Sequence, residues 1–119
     1  GKVINPVMAK GQQLGGSVQA LGLVLTEDFV VADGRVKTSS LAEYAIPTSL
    51  DIPDEFSGES IETPYPTGPY GAKGMAEHSL NTTAPAVLNA ICNAIGCDIT
   101  RIPVYAEDVL SAIRQKPIL

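Results

Sequence analysis

Ten consecutive residues, Gly68-Pro69-Tyr70-Gly71-Ala72-Lys73-Gly74-Met75-Ala76-Glu77, carry three glycines, a proline, one lysine and one carboxylate. Glycine weakens helix and strand interiors, and proline removes a backbone donor, so this run is neither a helix interior nor a central strand. It is expected to form a tight loop whose main-chain N–H groups and one side chain can come close to a ligand. Glu77 stands where the loop gives way to the next helical region. The rest of the chain is expected to position this loop.

Upstream, Lys2-Val3-Ile4 reads as the tail of a strand ended by Asn5-Pro6. Residues 6–27 then turn helical, with Val7, Leu14, Val18, Leu21 and Leu25 predicted as one apolar stripe. Pro6 suits the first helical turn, where its missing N–H costs nothing. Gly11, Gly15, Gly16 and Gly22 lie inside this helix, although each glycine costs roughly 1 kcal/mol against alanine. A helix that carries this cost is expected to have another helix, or a ligand, close against its backbone. Gln12 and Gln19, seven apart, share the face on which Gly15 and Gly16 lie.

Asp33-Gly34 between Phe29-Val30-Val31 and Arg35-Val36-Lys37-Thr38 predicts a β-hairpin. A short turn over residues 41–45 and a Pro-punctuated connection over 46–58 follow. Residues 59–63 are a candidate edge strand. After the Gly-rich loop, Thr82-Thr83-Ala84-Pro85 reads as a helix start, with Val87, Leu88, Ile91 and Ile95 as the buried face and Gly96 as the stop. Residues 98–105 read as short and extended. A last helix spans about 106–115, with Glu107 and Asp108 in its first turn, Arg114 near its end and Val109, Leu110 and Ile113 on its apolar face. The expected class is α+β: a long N-terminal helix, a β-hairpin, the Gly-rich loop and two C-terminal helices, with no internal repeat.

At 119 residues the chain is one domain or a piece of one. Its start at Gly1, without Met and inside a predicted strand, makes a piece of a longer protein the expectation. Trp is absent and aromatics are 5%, so the core must come from Val, Ile, Leu and Ala. A formal charge of −5 argues against nucleic acid, which needs clustered Lys and Arg. No apolar run is long enough for a bilayer and no signal segment opens the chain, so the expected location is cytoplasmic. Cys92 and Cys97 have the spacing of neither a disulfide framework nor a metal knuckle and are read as free thiols.

Glu77 is the one candidate for general acid–base work. Met75, Ala76 and Leu80 could desolvate its carboxylate and raise its pKa; the alternative is a solvated residue at a helix entrance. Lys73 has neither the spacing nor the following Ser or Thr of a phosphate-binding P-loop. His78, the single histidine, has no partner at a metal-ligand spacing and reads as a surface or capping residue. No nucleophile-elbow serine is present.

Several stretches together resemble one family. Gly11-Gln12-Gln13-Leu14-Gly15-Gly16-Ser17-Val18-Gln19-Ala20-Leu21-Gly22, followed by Thr26-Glu27, resembles the pattern G-Q-x-x-G-G-x-x-Q-G-L-G of the molybdenum-binding subunit of the xanthine dehydrogenase and aldehyde oxidase family. Gly1-Lys2-Val3-Ile4-Asn5-Pro6 is similar to its D-x-G-x-x-x-N-P entry, and Tyr44-Ala45-Ile46-Pro47 to its Y-x-I-P. The Gly-rich loop resembles G-P-x-G-A-K-G-V-G-E, and Ala84-Pro85-Ala86-Val87-Leu88-Asn89-Ala90-Ile91 resembles A-P-A-I-x-N-A-I. Ile102-Pro103 and Glu107-Asp108-Val109-Leu110 are similar to its closing P-x-T-P-E-x-V-L. The resemblance runs in order along essentially the whole chain.

The resemblance implies that residues 1–119 are the C-terminal segment of a larger molybdopterin-binding domain. It implies a hydroxylase that adds water-derived oxygen to an electron-poor carbon of an N-heterocycle such as a purine, or of an aldehyde. Glu77 would be the catalytic base, taking a proton from a hydroxyl on the molybdenum. Gln12 would hydrogen-bond the cofactor, and the backbone at Gly74, Met75 and Ala76 would approach the metal centre. The metal would be held by a pterin, as plain molybdopterin or as its cytosine dinucleotide, and not by side chains. Iron–sulfur clusters and FAD would belong to partner subunits or domains, and the remainder of the molybdenum subunit would hold the substrate. The segment alone is expected to be inactive and to self-associate through its apolar surface. Two positions depart from the family: Ala76 stands where Gly is usual, and His78-Ser79 where Pro-Pro or Ser-Pro often follows the glutamate. They bear on the substrate more than on the chemistry. A non-catalytic binding or assembly module derived from such a subunit is the alternative.

Overall fold

The computed structural model describes residues 1–115. Asn5 and Pro6 start the first helix for separate reasons. The Asn5 side-chain oxygen accepts the Met8 N–H at 3.1 Å, and Pro6 fills the first helical position. Helix α1 runs over Pro6–Leu25, and both the Thr26 and Glu27 N–H groups then donate to the Gly22 carbonyl, at 2.9 and 2.8 Å. A two-stranded antiparallel hairpin follows, β1 (Val31–Ala32) and β2 (Arg35–Val36), with Val31 opposite Val36. Asp33 and Gly34 turn it with φ of 53° and 71°, the paired left-handed geometry that suits a two-residue hairpin loop. Helix α2 spans His78–Ile95 and ends at Gly96, whose φ of 62° is the expected left-handed stop. Helix α3 spans Ala106–Gln115, with Glu107 and Asp108 in its first turn and Arg114 in its last. The α+β class therefore takes the form of three helices and one hairpin among the described residues.

The structure corrects three local expectations. Helix α2 begins at His78, so Pro85 lies inside it rather than at its start. Thr82 and Thr83 do not cap: Thr82 Oγ1 donates back to the Ser79 carbonyl at 3.3 Å, and Thr83 Oγ1 crosses to Ser17 Oγ at 3.2 Å. Packing of the preceding turns on α1 outweighs the interior proline, a cost of roughly 3 kcal/mol. Residues 2–4 and 59–63 form no strand; the Lys2 and Val3 N–H groups reach single acceptors, Gly71 O and Glu62 Oε1, because no neighbouring strand exists among the described residues to complete a ladder.

The third correction concerns α1. Val7 of the predicted stripe is 82% exposed and Leu25 44%. The buried line is instead Gly16, Ala20 and Val24, at steps of four. A Cβ on Gly16 would collide with Ser79 Oγ, so this small-residue ridge is what lets α2 come close. A Cβ on Gly11 or Gly15 would meet nothing within 4 Å. Of the four glycines expected to face a neighbour, only Gly16 and Gly22 do so among the described residues.

The core lies at the far end of α1. Val24, Ile99 and Val104 are buried, with Ala84, Val87, Leu88, Ile91, Cys92, Ile95 and Val109 packed round them. The Val104 N–H donates to the Val24 carbonyl at 2.7 Å, and the free Cys92 thiol accepts the Ile99 N–H at 3.3 Å. Leu110 and Ile113 of α3 stay exposed. The radius of gyration is 18.2 Å, against about 13–14 Å for a compact chain of this length. This openness, with large apolar residues such as Val7, Met8, Leu50 and Ile61 in solvent, is the surface on which the expectation of self-association rests. None of the described helices is long and apolar enough to cross a membrane.

Candidate active site

The Gly-rich loop is folded by its own backbone. Gly71 O accepts two N–H groups, from Lys2 at 2.8 Å and from Tyr65 at 3.0 Å, which ties the loop to the segment before α1. A 3-10 turn over Pro69–Gly71 places Tyr70 and Gly71 at φ of 55° and 76°. Only glycine takes the second position without strain, and a Cβ on Gly68 would strike the Ala72 carbonyl. Gly74 differs: nothing lies within 4 Å of its would-be Cβ, so the backbone there is open to an approaching group.

The loop, the segment before α1, the first turns of α1 and part of the connection near Ser60 enclose a cleft of about 630 Å³. Gln12, Gly74 and Met75, which the resemblance assigns to a cofactor site, all line it. Lys2, Asn5, Lys73 and His78 line it too, and no carboxylate does among the described residues. Lys73 Nζ sits 5.8 Å from the centre of the Tyr65 ring, a cation–π contact that steadies the loop. Ala76 and Glu77 adjoin this lining without being part of it.

Glu77 is the N-cap residue of α2, with φ −89° and ψ 25° and no side-chain capping bond. It is exposed, as are Met75 and Ala76. Among the described residues, Met75, Ala76 and Leu80 therefore do not bury Glu77. The carboxylate makes no bond to the helix end and is free to meet a group outside the chain. Gln12 is exposed on α1, and its side chain has no hydrogen-bond partner among the described residues. Its carbonyl accepts Ser79 Oγ at 3.4 Å, which links the two helices that carry Gln12 and Glu77. His78 is exposed, and its Nδ1 accepts the Ala76 N–H at 3.2 Å, a donor that precedes the helix. No cluster of three or more His, Cys, Asp or Glu forms among the described residues.

Sequence reasoning missed Gln13. Its Nε2 donates to Glu59 O and to Ser60 Oγ, both at 3.1 Å, and so clamps the segment just after the Pro-punctuated connection onto α1 beside the cleft. No local signal distinguishes it from Gln12, since its partners lie 46 and 47 residues away. Two tyrosine joints were also missed. Tyr44 donates to Glu27 Oε2 at 2.5 Å, and Tyr105 donates to Asp28 while the Arg101 guanidinium lies 4.8 Å from its ring centre. The hydrogen bond to the carboxylate holds each phenol above the ordinary tyrosine pKa. The neutral phenol makes the bond, so each joint is fully present below the ordinary tyrosine range and is lost as pH rises through the raised value. An alkaline absorbance titration should find two of the four tyrosines ionising late. Tyr44→Phe and Tyr105→Phe should each remove one late step; unchanged curves would rule the joints out.

The chain is similar to known proteins along most of its length. The molybdopterin cofactor-binding domain description matches residues 1–53. The aldehyde oxidoreductase of Megalodesulfovibrio gigas is 37% identical over 114 residues, 96% of this chain and 12% of that protein. A probable xanthine dehydrogenase subunit of Bacillus subtilis is 35% identical over 116 residues, 98% of this chain and 15% of that protein. The chain belongs to the xanthine dehydrogenase and aldehyde oxidoreductase family. Quinoline 2-oxidoreductase from Pseudomonas putida 86 superposes on 98% of the chain with a TM-score of 0.88 and 36% identity, using 15% of its own length. The chain thus corresponds to a segment of the molybdopterin-binding large subunit, spanning 12–15% of the length of these relatives. In the family's terms, the Gly22, Thr26-Glu27 and Tyr44-to-Pro47 motifs are one joint: a Cβ on Gly22 would strike both the Glu27 carboxylate and Pro47 Cδ.

Proposed function

We propose that the protein carrying this chain is a molybdopterin-dependent hydroxylase acting on an electron-poor carbon of an N-heterocycle or an aldehyde, with Glu77 as its general base. The observation that carries the reading is the meeting of Gln12, Gly74 and Met75 in one cleft, with Glu77 lying in the chain between the lining residues Met75 and His78 and making no side-chain capping bond. The relatives, an aldehyde oxidoreductase, a probable xanthine dehydrogenase subunit and a quinoline 2-oxidoreductase, support the substrate class.

The lining residues fit a large anionic, oxygen-rich cofactor. Lys2 and Lys73 supply positive charge, Asn5, Gln12 and Ser60 supply neutral polar groups, and no acidic side chain among the described residues opposes them in the lining. The open backbone at Gly74 allows main-chain approach that a side chain would block. When bound, the molybdenum–pterin group, plain or as its cytosine dinucleotide, supplies the oxygen-transfer and electron-accepting chemistry. Gln12 would hold it by its free amide, and residues 74–76 would lie against it through their backbone. Glu77 would take a proton from the oxygen to be transferred. Coverage by the remainder of the subunit would exclude water from Glu77, which this chain leaves exposed. Iron–sulfur and flavin partners would carry the electrons away, and the assembly would work in the cytoplasm.

Gln12→Ala in the complete protein tests the cofactor half. One charge-assisted or neutral hydrogen bond is worth about 1–3 kcal/mol, so molybdenum and pterin content measured after dialysis should fall together by roughly 5- to 150-fold in retention. A complete protein that holds no molybdenum in its native form, or a Gln12→Ala protein that holds it unchanged, would sink that half.

A further inference from the structure

His78 is a part of the cleft that the proposed chemistry does not use. Its Nδ1 accepts the Ala76 N–H at 3.2 Å. An accepting Nδ1 requires the neutral ring with its proton on Nε2. The bond runs from residue 76 to residue 78 and so closes a turn across Glu77. On the other side, the Leu80 N–H donates to the Glu77 carbonyl at 3.1 Å, and Ser79 Oγ donates to the Gln12 carbonyl at 3.4 Å. Glu77 is therefore bracketed. Its backbone is held at φ −89° and ψ 25°, at the sparsely allowed bridge between the extended and helical regions.

That conformation has a cost and a use. Glutamate is a poor N-cap residue compared with Asp, Asn, Ser or Thr, and here the carboxylate makes no capping bond. The imidazole satisfies the donor just before Glu77, so the carboxylate is not drawn into the loop to satisfy it. We propose that His78 is a positioning residue: by binding the Ala76 N–H it fixes the turn across Glu77 and thereby sets where the Glu77 carboxylate stands at the cleft rim. This inference rests on the reading of Glu77 as the base.

The complete protein should be prepared as His78→Ala and as His78→Asn, whose Oδ1 can take the place of Nδ1 as acceptor. Two quantities are read: amide hydrogen exchange at Ala76, and kcat and KM separately, at equal molybdenum content. In His78→Ala the Ala76 amide should exchange roughly fivefold faster, the equivalent of one lost hydrogen bond. The kcat should fall by up to about 100-fold, since a misplacement of 1 Å is enough for that, with KM little changed. His78→Asn should restore both. Unchanged exchange and kcat in His78→Ala, or no recovery in His78→Asn, would overturn the proposal. Glu77→Gln keeping full turnover would instead remove the base role itself, which the exchange measurement does not depend on.

Discussion

Replacing Glu77 by Gln should lower turnover of the complete protein by about 10²- to 10⁴-fold, the range a positioned general base contributes, while leaving molybdenum bound. Gln keeps the size and shape of the side chain but cannot take a proton. The structure indicates why little else should change. Glu77 makes no side-chain capping bond, lies outside the cleft lining and pairs with no cation among the described residues. Its loss therefore removes chemistry without removing a structural contact. Molybdenum content and steady-state kinetics on the same preparation check this. Turnover within a factor of about two of the parent protein would end the base assignment and favour a binding or assembly role. Turnover and molybdenum lost together would make Glu77 a structural residue.

The second large effect is expected at Gly22. Its carbonyl accepts two N–H groups that fold Thr26 and Glu27 back over the helix end. The Glu27 carboxylate, now lying against Gly22, accepts the Tyr44 hydroxyl at 2.5 Å. A Cβ at position 22 would overlap that carboxylate and come within 2.6 Å of Pro47 Cδ. Gly22→Ala must push both away, a cost of about 1–3 kcal/mol for overpacking, larger than the roughly 1 kcal/mol that alanine gains in helix propensity. Gly22→Val, bulkier still, should prevent the joint from closing. Gly11→Ala is the control, because its methyl meets nothing within 4 Å in this chain. Thermal melting and limited proteolysis of residues 44–58 in the complete protein should show Gly22→Ala opened and cleaved sooner than Gly11→Ala. Equal behaviour of the two would mean that the Gly22 contact does not govern the joint.

Much of the chain was legible because its signals act over a few residues. Asn5-Pro6 starts α1, Asp33-Gly34 turns the hairpin, Gly96 stops α2, and Glu107, Asp108 and Arg114 frame α3, each through bonds or charges within one turn. The motif set also carried the family, since its spacing along the chain is itself sequence information. Gln12, Gly74 and Met75 were grouped only by that resemblance, and the structure places all three in the lining of one cleft.

Other features depend on neighbours that no local pattern specifies. Whether a glycine in α1 is needed depends on what lies against it: Ser79 for Gly16, Glu27 and Pro47 for Gly22, open space for Gly11 and Gly15. The large aliphatic residues suggested one buried stripe, but the helix that packs on α1 uses the small-residue ridge of Gly16, Ala20 and Val24. Pro85 reads as a helix start, yet hydrogen bonds from Ser79 and Thr83 to residues 67 and 66 positions away hold the helix from His78 onward. The amino acids alone thus determine the start of α1, the hairpin turn, the stop of α2, the loop chemistry and the family. The tertiary structure decides which face is buried, which donor clamps the connection and that Glu77 stands uncovered, because each of these is set by contacts across the fold between residues far apart in the chain.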